Sequence, residues 1–361
     1  KSTYNIVFDH NSVEWATDDS MSAYTGTDNI TFQWNIVAES LPSMGMGGFD
    51  NSDSKISVHH NLLAHGIYRN PSMGNVGVAD WRNNIVYNWG NDNGAQWGTY
   101  ERNWSTFGNF VNNHYIAGPN SQALAWMYLS NGGSTRLDGQ SADRGGTKIY
   151  MQGNWTPACP TGCADDWSNN PKDLDYYLIG QPIPLASAAR YRVTTPFASA
   201  PVATDPTSSL KSKILPIVGA SKPSRDAVDI RIVNDVNNLT GDLTPFSLAI
   251  GGTNFGGYVP QFGGPWPDLL TGAPSKPDDN DENVGDGIAD AWELAHGLNP
   301  NIKADATVFA SNGYTNIENY INELAGDPIP GFTTVTPPPP STLPPPPPPA
   351  GGSTGWTFCA S

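Results

Sequence analysis

A short motif recurs in the first part of the chain at nearly constant spacing. Each copy ends in asparagine, and an apolar residue follows two positions later. The copies are Phe8-Asp9-His10-Asn11, Phe32-Gln33-Trp34-Asn35, Val58-His59-His60-Asn61 and Trp81-Arg82-Asn83-Asn84, at steps of 24, 26 and 23 residues. This period, with β-rich segments between Gly, Asn and Asp turns, is typical of stacked β-coils. The repeat predicts an all-β fold, a right-handed parallel β-helix (solenoid).

The asparagine of each copy is expected to lie at one corner of the solenoid. There it can donate and accept amide hydrogen bonds with the coils above and below. The same register places Asp9, Gln33, His59 and Arg82 in one column, because side chains alternate between the faces of a strand. Residues 107–118 and 148–155 predict further coils. An antiparallel β-sandwich with Asn turns is the alternative, although its strands need not share one repeat.

Composition divides the chain into five predicted segments. They are a β-helix at 1–186 that lacks its N-terminal coils, an extension at 187–274 that packs on it and covers its C-terminal end, an EF-hand-like calcium module at 275–326, a proline-rich linker at 327–355, and the start of a truncated further domain at 356–361. Apolar spacing predicts short helices at 208–218 and 225–236, the second capped by Ser224. A proline-rich spacer implies a domain on each side of it.

The net charge and the apolar pattern limit the partners. The formal net charge of -16 argues against nucleic acid. No apolar run reaches the roughly 18 residues of a membrane span. With 38 Gly, 32 Pro and 14% charged residues, the composition suits an extracellular β-rich enzyme or binding protein.

The cysteines give a further indication. Cys159 and Cys163 are close enough in sequence to form a local disulfide or to hold a metal. The disulfide is favoured because no second Cys pair or nearby His completes a tetrahedral site. Cys359 is left over, and its partner is expected in sequence beyond this chain.

Residues 278–293 form an acidic stretch that predicts a calcium site. Asp286, Gly287, Asp290 and Glu293 have the offsets of positions 5, 6, 9 and 12 of an EF-hand loop. The missing oxygens are expected from Asp279, Asp281 or Asn283, and the metal ligands predicted for this module are Asp281, Asp286, Asp290 and Glu293. A solvated acidic linker is the alternative.

Two helices are expected around this stretch. The first runs from about residue 289 to His296 and ends at Gly297. The second begins at the capping box formed by Thr315 and Glu318.

Several motifs of the coil region appear in the order of one enzyme family. They are Asp9-His10-Asn11, Thr17-Asp18-Asp19-Ser20, the stretch 56–71 that ends in Arg69-Asn70-Pro71, and the stretch 80–90. With these motifs the chain resembles the secreted pectate lyases of the large single-domain β-helix family, closely over roughly 4–120 and loosely over 120–240. The acidic module resembles a tail of bacterial lyases. The resemblance implies a secreted bacterial enzyme that uses Ca²⁺ to cleave polygalacturonate by β-elimination.

The resemblance also implies residue roles. Arg69 would be the base, and Asp9 and Asp18 would be the first calcium ligands, with Asp19 as a further candidate. Arginine needs a special environment for this role because its pKa exceeds about 12.

Three departures from the family pattern surround this site. Ser22 replaces the second aspartate, residues 35–54 contain no lysine, and Gly74 replaces the second arginine. Lys55 and Arg82 could compensate from adjacent coils. His59 is a third substrate-binding candidate, although a stacked histidine is more often structural.

Two other functions stay open from the sequence. A β-helix that has lost its cationic residues could bind or scaffold an acidic plant cell-wall polysaccharide without cleaving it. An open N-terminal coil exposes strand edges, so an otherwise monomeric chain could stack end to end.

Overall fold

The computed structural model describes residues 3–47 except 17, 54–90 except 75, 94–97, 106–121, 127–129, 147–169, 172–173, 191–243 except 223, and 285–326. The expectations for Asp281, the proline-rich linker and Cys359 lie outside these residues. The chain forms two compact units, 1–272 and 273–361. Among the described residues, every helix is too short or too polar to cross a membrane.

The first unit is built from three parallel β-sheets. Sheet A contains β1 (Thr3–Asp9), β4 (Thr27–Gln33), β7 (Lys55–His59), β10 (Val76–Arg82), β13 (Thr106–Val111) and β16 (Lys148–Gln152). Sheet B contains β2 (Ser12–Glu14), β5 (Ile36–Ala38), β8 (Leu62–Ala64), β11 (Ile85–Tyr87) and β14 (His114–Ile116). Sheet C contains β3 (Met21–Ala23), β6 (Met44–Gly47), β9 (Ser72–Gly74), β12 (Ala95–Trp97), β15 (Met127–Leu129) and β17 (Lys172–Asp173).

From β1 to β16, successive strands visit the three sheets in turn, so one coil adds one strand to each sheet. Within every sheet a strand pairs in parallel with the strand of the next coil. This arrangement is a β-solenoid and confirms the predicted parallel β-helix.

An asparagine ladder runs along the corner between sheets A and B. The Nδ2 atom of Asn35 donates to Oδ1 of Asn61 at 3.0 Å, and Nδ2 of Asn61 donates to Oδ1 of Asn84 at 2.9 Å. The ladder continues through Asn113 and Asn154, whose Nδ2 ends it on the Asp166 carboxylate at 2.6 Å. The predicted ladder is confirmed and is longer than the repeat alone indicated.

The residue before each ladder asparagine has left-handed backbone. The φ values are 51° at His10, 55° at Trp34, 57° at His60, 53° at Asn83 and 50° at Asn112. This conformation makes the sharp turn from sheet A to sheet B, and the ladder amides satisfy the backbone groups that the turn leaves unpaired.

Stacked apolar side chains fill the solenoid. Phe32, Val58, Trp81 and Phe110 are paired in register on sheet A and are fully buried or nearly so. Dispersion and hydrophobic burial along such columns stabilise the stack.

A helical segment covers the outer face of sheet B. A 3₁₀ turn at Thr207–Ser209 leads into α1 (Leu210–Ile214), and α2 (Ala227–Asn238) follows. Apolar residues of both helices form one buried cluster with outward side chains of sheet B. The segment therefore packs on the β-helix as predicted, but on its side rather than over its C-terminal end.

The cap of α2 differs from the expectation. Asp226, not Ser224, is the N-cap, and its carboxylate accepts the backbone N–H of Asp229 at 2.8 Å. Ser12 Oγ in turn donates to Asp229 Oδ2 at 2.5 Å. Burial, and then the neighbouring Asp229 carboxyl group, raises the pKa of Glu14 on β2 to about 9. Glu14 and Asp229 therefore form a buried acidic pair between sheet B and α2.

Two local sequence predictions are confirmed elsewhere. Cys159 and Cys163 form a disulfide. In the second unit, α3 (Asp290–His296) ends at the left-handed Gly297, and α4 (Asn316–Ala325) begins at the predicted capping box. A 3₁₀ turn at Lys303–Asp305 lies between them.

Candidate active site and metal sites

Two acidic residues and an arginine meet at the corner between sheets B and C. Asp18 and Asp19 lie between β2 and β3, and Arg69 lies between β8 and β9, two coils further on. The Nη1 atom of Arg69 is 3.1 Å from Oδ1 and 3.2 Å from Oδ2 of Asp19. The Asp19 side chain is 7% exposed and that of Arg69 is 35% exposed. The structure thus brings together two of the predicted site residues, with the arginine on the solvent side.

The backbone around Arg69 is tied to the coils on both sides. Its φ of 59° is left-handed, and its carbonyl accepts the N–H of Met44 at 2.9 Å. On the other side, the N–H of Asn70 donates to the carbonyl of Gly94 at 2.8 Å. The hydrogen bonds to the neighbouring coils therefore fix the backbone position from which the Arg69 side chain extends.

Tyr24 completes the cluster, and sequence reasoning missed it. Its hydroxyl donates a hydrogen bond to Oδ2 of Asp19. A Cβ at Gly45, on the neighbouring coil, would clash with both the Tyr24 hydroxyl and the Asp19 carboxylate. A side chain at position 45 would therefore displace one or both of these groups. Tyr24 lies outside the repeated motif, so its only sequence signal is its place just after the two aspartates.

The ion pair determines the protonation state of this cluster. Burial tends to lower the pKa of Arg69, but the Asp19 carboxylate outweighs burial and raises that pKa above its ordinary value. Burial and the hydrogen bond to Asp19 likewise raise the pKa of Tyr24. Arg69 is a cation in this arrangement, so it can bind a carboxylate but cannot yet accept a proton.

Asp9, which the family resemblance names with Asp18 as a first calcium ligand, lies at a different corner of the coil. Asp9 ends β1 in sheet A, and the whole of β2 separates it from Asp18. Three strand residues alone span about 10 Å. The Asp9 Oδ1 atom lies 2.7 Å from Nδ1 of His10, whereas Asp18 accepts the backbone N–H of Asp19 at 2.8 Å. The structure therefore does not join Asp9 to the Asp19–Arg69 pair.

The predicted cationic residues Lys55 and Arg82 lie on sheet A rather than at the corner of Arg69. Arg82 donates to both carboxylate oxygens of Asp80, at 3.1 and 3.0 Å, and to the Thr204 hydroxyl at 2.8 Å. Lys55 is exposed at the start of β7. Both residues thus belong to sheet A, whereas Arg69 lies between β8 of sheet B and β9 of sheet C.

His59 shares the column of Asp9, Gln33 and Arg82, and the pairing registers confirm this column. Its Nδ1 atom is 2.9 Å from Nδ1 of His60. Burial, and then the charge of His60, lowers the pKa of His59 to about 3. His59 is therefore neutral at ordinary pH and offers a hydrogen-bonding group rather than a positive charge.

The second unit contains a separate group of carboxylates. One oxygen each from Asp286, Glu293 and Asp305 lies within 4.8 Å of the others, and Glu293 and Asp305 are fully buried. Burial and the nearby Asp286 carboxylate raise the pKa of Asp305. Two predicted ligands, Asp286 and Glu293, are thus together, whereas Asp290 at the start of α3 is outside the group.

Asp305 was missed because it follows Glu293 by more residues than a loop motif spans. The 3₁₀ turn at Lys303–Asp305 returns it to the group. The spacing of residues within the acidic stretch cannot predict that Asp305, which lies outside it, joins the group.

Comparison with known proteins gives relatives of one enzyme class. The chain is 28% identical over 323 residues to the probable pectate lyase C of Aspergillus terreus, covering 88% of this chain and 65% of the relative. It is 29% identical over 321 residues to that of Aspergillus fumigatus, with 88% and 65% covered. It is 30% identical over 325 residues to that of Emericella nidulans, with 89% and 64% covered. No family model matches the chain.

These relatives confirm the resemblance to pectate lyases that the motifs predicted. The chain is a β-solenoid protein related in sequence to proteins named pectate lyase C, and it spans slightly less than two thirds of their length. The expected bacterial origin is not supported, because these relatives are fungal.

Solved structures of the same class also match in part. One is a pectate lyase bound to a hexasaccharide, with 17% identity and a TM-score of 0.40 over 60% of this chain and 51% of that chain. Another is a pectate lyase studied for its substrate specificity and anti β-elimination mechanism, with 17% identity and a TM-score of 0.41 over 61% and 52%.

Proposed function

We propose that the first unit is the catalytic β-helix of a calcium-dependent pectate lyase. It cleaves α-1,4-polygalacturonate by β-elimination and releases unsaturated oligogalacturonides. The observation that carries the proposal is the position of Arg69, the base implied by the family resemblance, at the same corner as Asp18 and Asp19. The sequence relatives named pectate lyase C support the same activity.

Asp18 and Asp19 are the residues that would hold the calcium ion. Adjacent carboxylates supply the hard oxygen ligands that Ca²⁺ prefers, and the exposed Asp18 leaves one of them open to solvent. A bound ion would neutralise the uronate carboxylate and make the C5 proton of the sugar more acidic.

Arg69 acts on that proton in the proposed reaction. The guanidine nitrogen takes the proton, and the C5–H electrons form the C4–C5 double bond. The glycosidic oxygen leaves from C4 with the electrons of the C4–O bond and takes a proton from water. A neutral guanidine is needed, so the pair with Asp19 must open when substrate binds. The hydrogen bond from Tyr24 keeps the Asp19 carboxylate in place during this exchange.

The proposed partner is the acidic polysaccharide of plant cell walls, and the proposed location is extracellular. The chain carries a net charge of -16, so an anionic polymer is held only where cations are concentrated locally. Lys55, His59 and Arg82 stay predicted substrate contacts on sheet A.

The test is the release of unsaturated uronide from polygalacturonate, followed by ultraviolet absorbance. Activity is expected to require Ca²⁺, to vanish with chelator, and to fall about a hundredfold or more in Arg69→Ala, as for loss of an acid–base group. Arg192→Ala is the matched control, because Arg192 also pairs with an aspartate, at 2.8 Å from Asp165, but is far along the chain from this corner. That variant should keep full activity.

Two results would contradict the proposal. One is lyase activity that survives in Arg69→Ala. The other is polygalacturonate binding by the wild-type chain without any cleavage in calcium, which would favour the binding or scaffold function instead.

A further inference from the structure

The buried carboxylates of the second unit lie in a setting that favours a bound cation. Glu293 and Asp305 have no exposed surface, and an oxygen of each lies within 4.8 Å of one from Asp286. Like charges held this close in a buried site repel each other and lose their hydration. A divalent cation would offset both costs.

Two oxygen atoms at the same place give independent support. Within residues 285–326, Oδ1 of Asp305 and Oδ1 of Asn316 are buried and have no hydrogen-bond partner. The other Asp305 oxygen accepts the backbone N–H of Asn299 at 3.2 Å. The Asn316 amide donates to the Asp305 carbonyl at 2.9 Å, which holds this side chain against Asp305. Buried oxygens of native proteins are rarely left unsatisfied, and an ion is one of the groups that satisfies them.

The apolar core within residues 285–326 is small. Its fully or nearly buried members are Ile288, Ala306 and Tyr320, with partly buried residues around them. A core this small contributes little burial energy, so a bound metal would add to the stability of these elements. The acidic group joins the segment before α3, α3 itself and the 3₁₀ turn, and Asn316 begins α4.

We infer that Asp286, Glu293 and Asp305, with the side-chain oxygen of Asn316, bind one Ca²⁺ ion that holds the helices of the second unit together. The ligand set differs from the one that sequence spacing predicts, because Asp305 replaces Asp290. The ligands are hard oxygens, and Glu293 can bind through both of its oxygens, which Ca²⁺ accepts more readily than Mg²⁺. The site is independent of the proposed lyase activity.

The test compares the whole chain with single variants by calorimetric titration of metal-free protein with CaCl₂. Asp305→Asn keeps an oxygen for the Asn299 N–H but removes a charge, and it is expected to lose one calcium ion per chain. Asp290→Asn is the matched control on α3, the helix that carries Glu293, and it should bind calcium as wild type does. Asp19→Asn should keep the ion of the second unit, so a failure of the lyase proposal is distinguishable from a failure of this one.

Thermal unfolding tests whether Asp305→Asn raises or lowers the unfolding temperature of the second unit with and without calcium. In chelator, Asp305→Asn should unfold the second unit at a higher temperature than wild type, because the repulsion is reduced. In calcium the order should reverse. A lower midpoint in both conditions would show that Asp305 is a structural residue and would overturn the inference.

Hydrogen exchange of the unmutated chain covers the case in which the variant does not fold. Calcium should slow backbone exchange in peptides from 285–326, and magnesium at the same concentration should not. Unchanged exchange in calcium, equal protection by magnesium, or loss of the ion in Asp290→Asn but not in Asp305→Asn would each overturn the inference.

Discussion

The asparagine ladder predicts a position-dependent cost for removing one amide. Asn61, in the middle of the ladder, is fully buried. Its Nδ2 donates to the Phe32 carbonyl at 2.9 Å and to Asn84 Oδ1 at 2.9 Å, and its Oδ1 accepts the backbone N–H and the Nδ2 of Asn35 at 2.9 and 3.0 Å. A typical hydrogen bond contributes about 1 kcal/mol net, and a buried group left without a partner costs about 1–3 kcal/mol. We expect Asn61→Ala to lower the free energy of unfolding by about 4 kcal/mol.

The matched control is the same substitution at the end of the ladder. Asn11 is exposed, and its Nδ2 donates to Asn35 Oδ1 at 2.9 Å and to the Asp9 carbonyl at 3.1 Å. Asn11→Ala should cost about 1 kcal/mol, since water can replace the lost partners.

The assay is thermal unfolding of the first unit, followed by circular dichroism. One kcal/mol shifts the midpoint by about 2–4 °C for a domain of this size, so the two variants should differ by about 6–12 °C. Equal midpoints for Asn61→Ala and Asn11→Ala would refute the idea that burial of the ladder determines its energetic contribution.

Two further predictions concern pH and the candidate active site. The pKa of Glu14 is about 9 in the folded chain against 4.5 ordinarily, so the unfolded chain releases this proton first and stability should fall as pH rises from about 5 to about 9. Glu14→Gln should flatten that fall in pH-dependent thermal unfolding, and parallel profiles for variant and wild type would contradict it. Gly45→Ala should displace the Asp19 carboxylate and the Tyr24 hydroxyl from each other and reduce uronide release in a chain with unchanged circular dichroism, whereas full activity would show that this contact is dispensable.

Most of the fold could be predicted from the sequence because each coil of the solenoid repeats the same sequence motif. The Oδ1 atoms of Asn35 and Asn61 each accept the backbone N–H of the ladder asparagine one coil earlier. The sequence period therefore corresponds to the stacking of coils. The helical segment was harder to place. Its apolar spacing indicated helices. The surface that α1 and α2 cover depends on the outward side chains of sheet B. A local sequence pattern does not show which surface a helix will pack on.

The candidate sites were only partly predictable for a related reason. Arg69 and Asp286 lie in motifs, whereas Asp305 reaches its group through a 3₁₀ turn and Tyr24 through the packing of neighbouring coils. The roles of these residues in binding and catalysis stay predictions. The family motifs name Asp9 and Asp18 together, but a motif records order along the chain, not which corner of the coil a residue occupies.

The number of residues from the ladder asparagine distinguishes one corner of the coil from another. In each of the first four coils, a residue with left-handed backbone stands four positions after the ladder asparagine: Trp15, Glu39, His65 and Asn88. Sheet B therefore has constant length in these coils, so residues shortly beyond it can be compared by their count from the ladder asparagine. Asp19 and Arg69 both stand eight residues after their ladder asparagine, so they fall in one column, with Ser43 of the intervening coil between them. Asp9 stands two residues before its asparagine and belongs to sheet A. Counting from the ladder asparagines therefore indicates that two residues 50 apart in sequence lie close enough to form an ion pair.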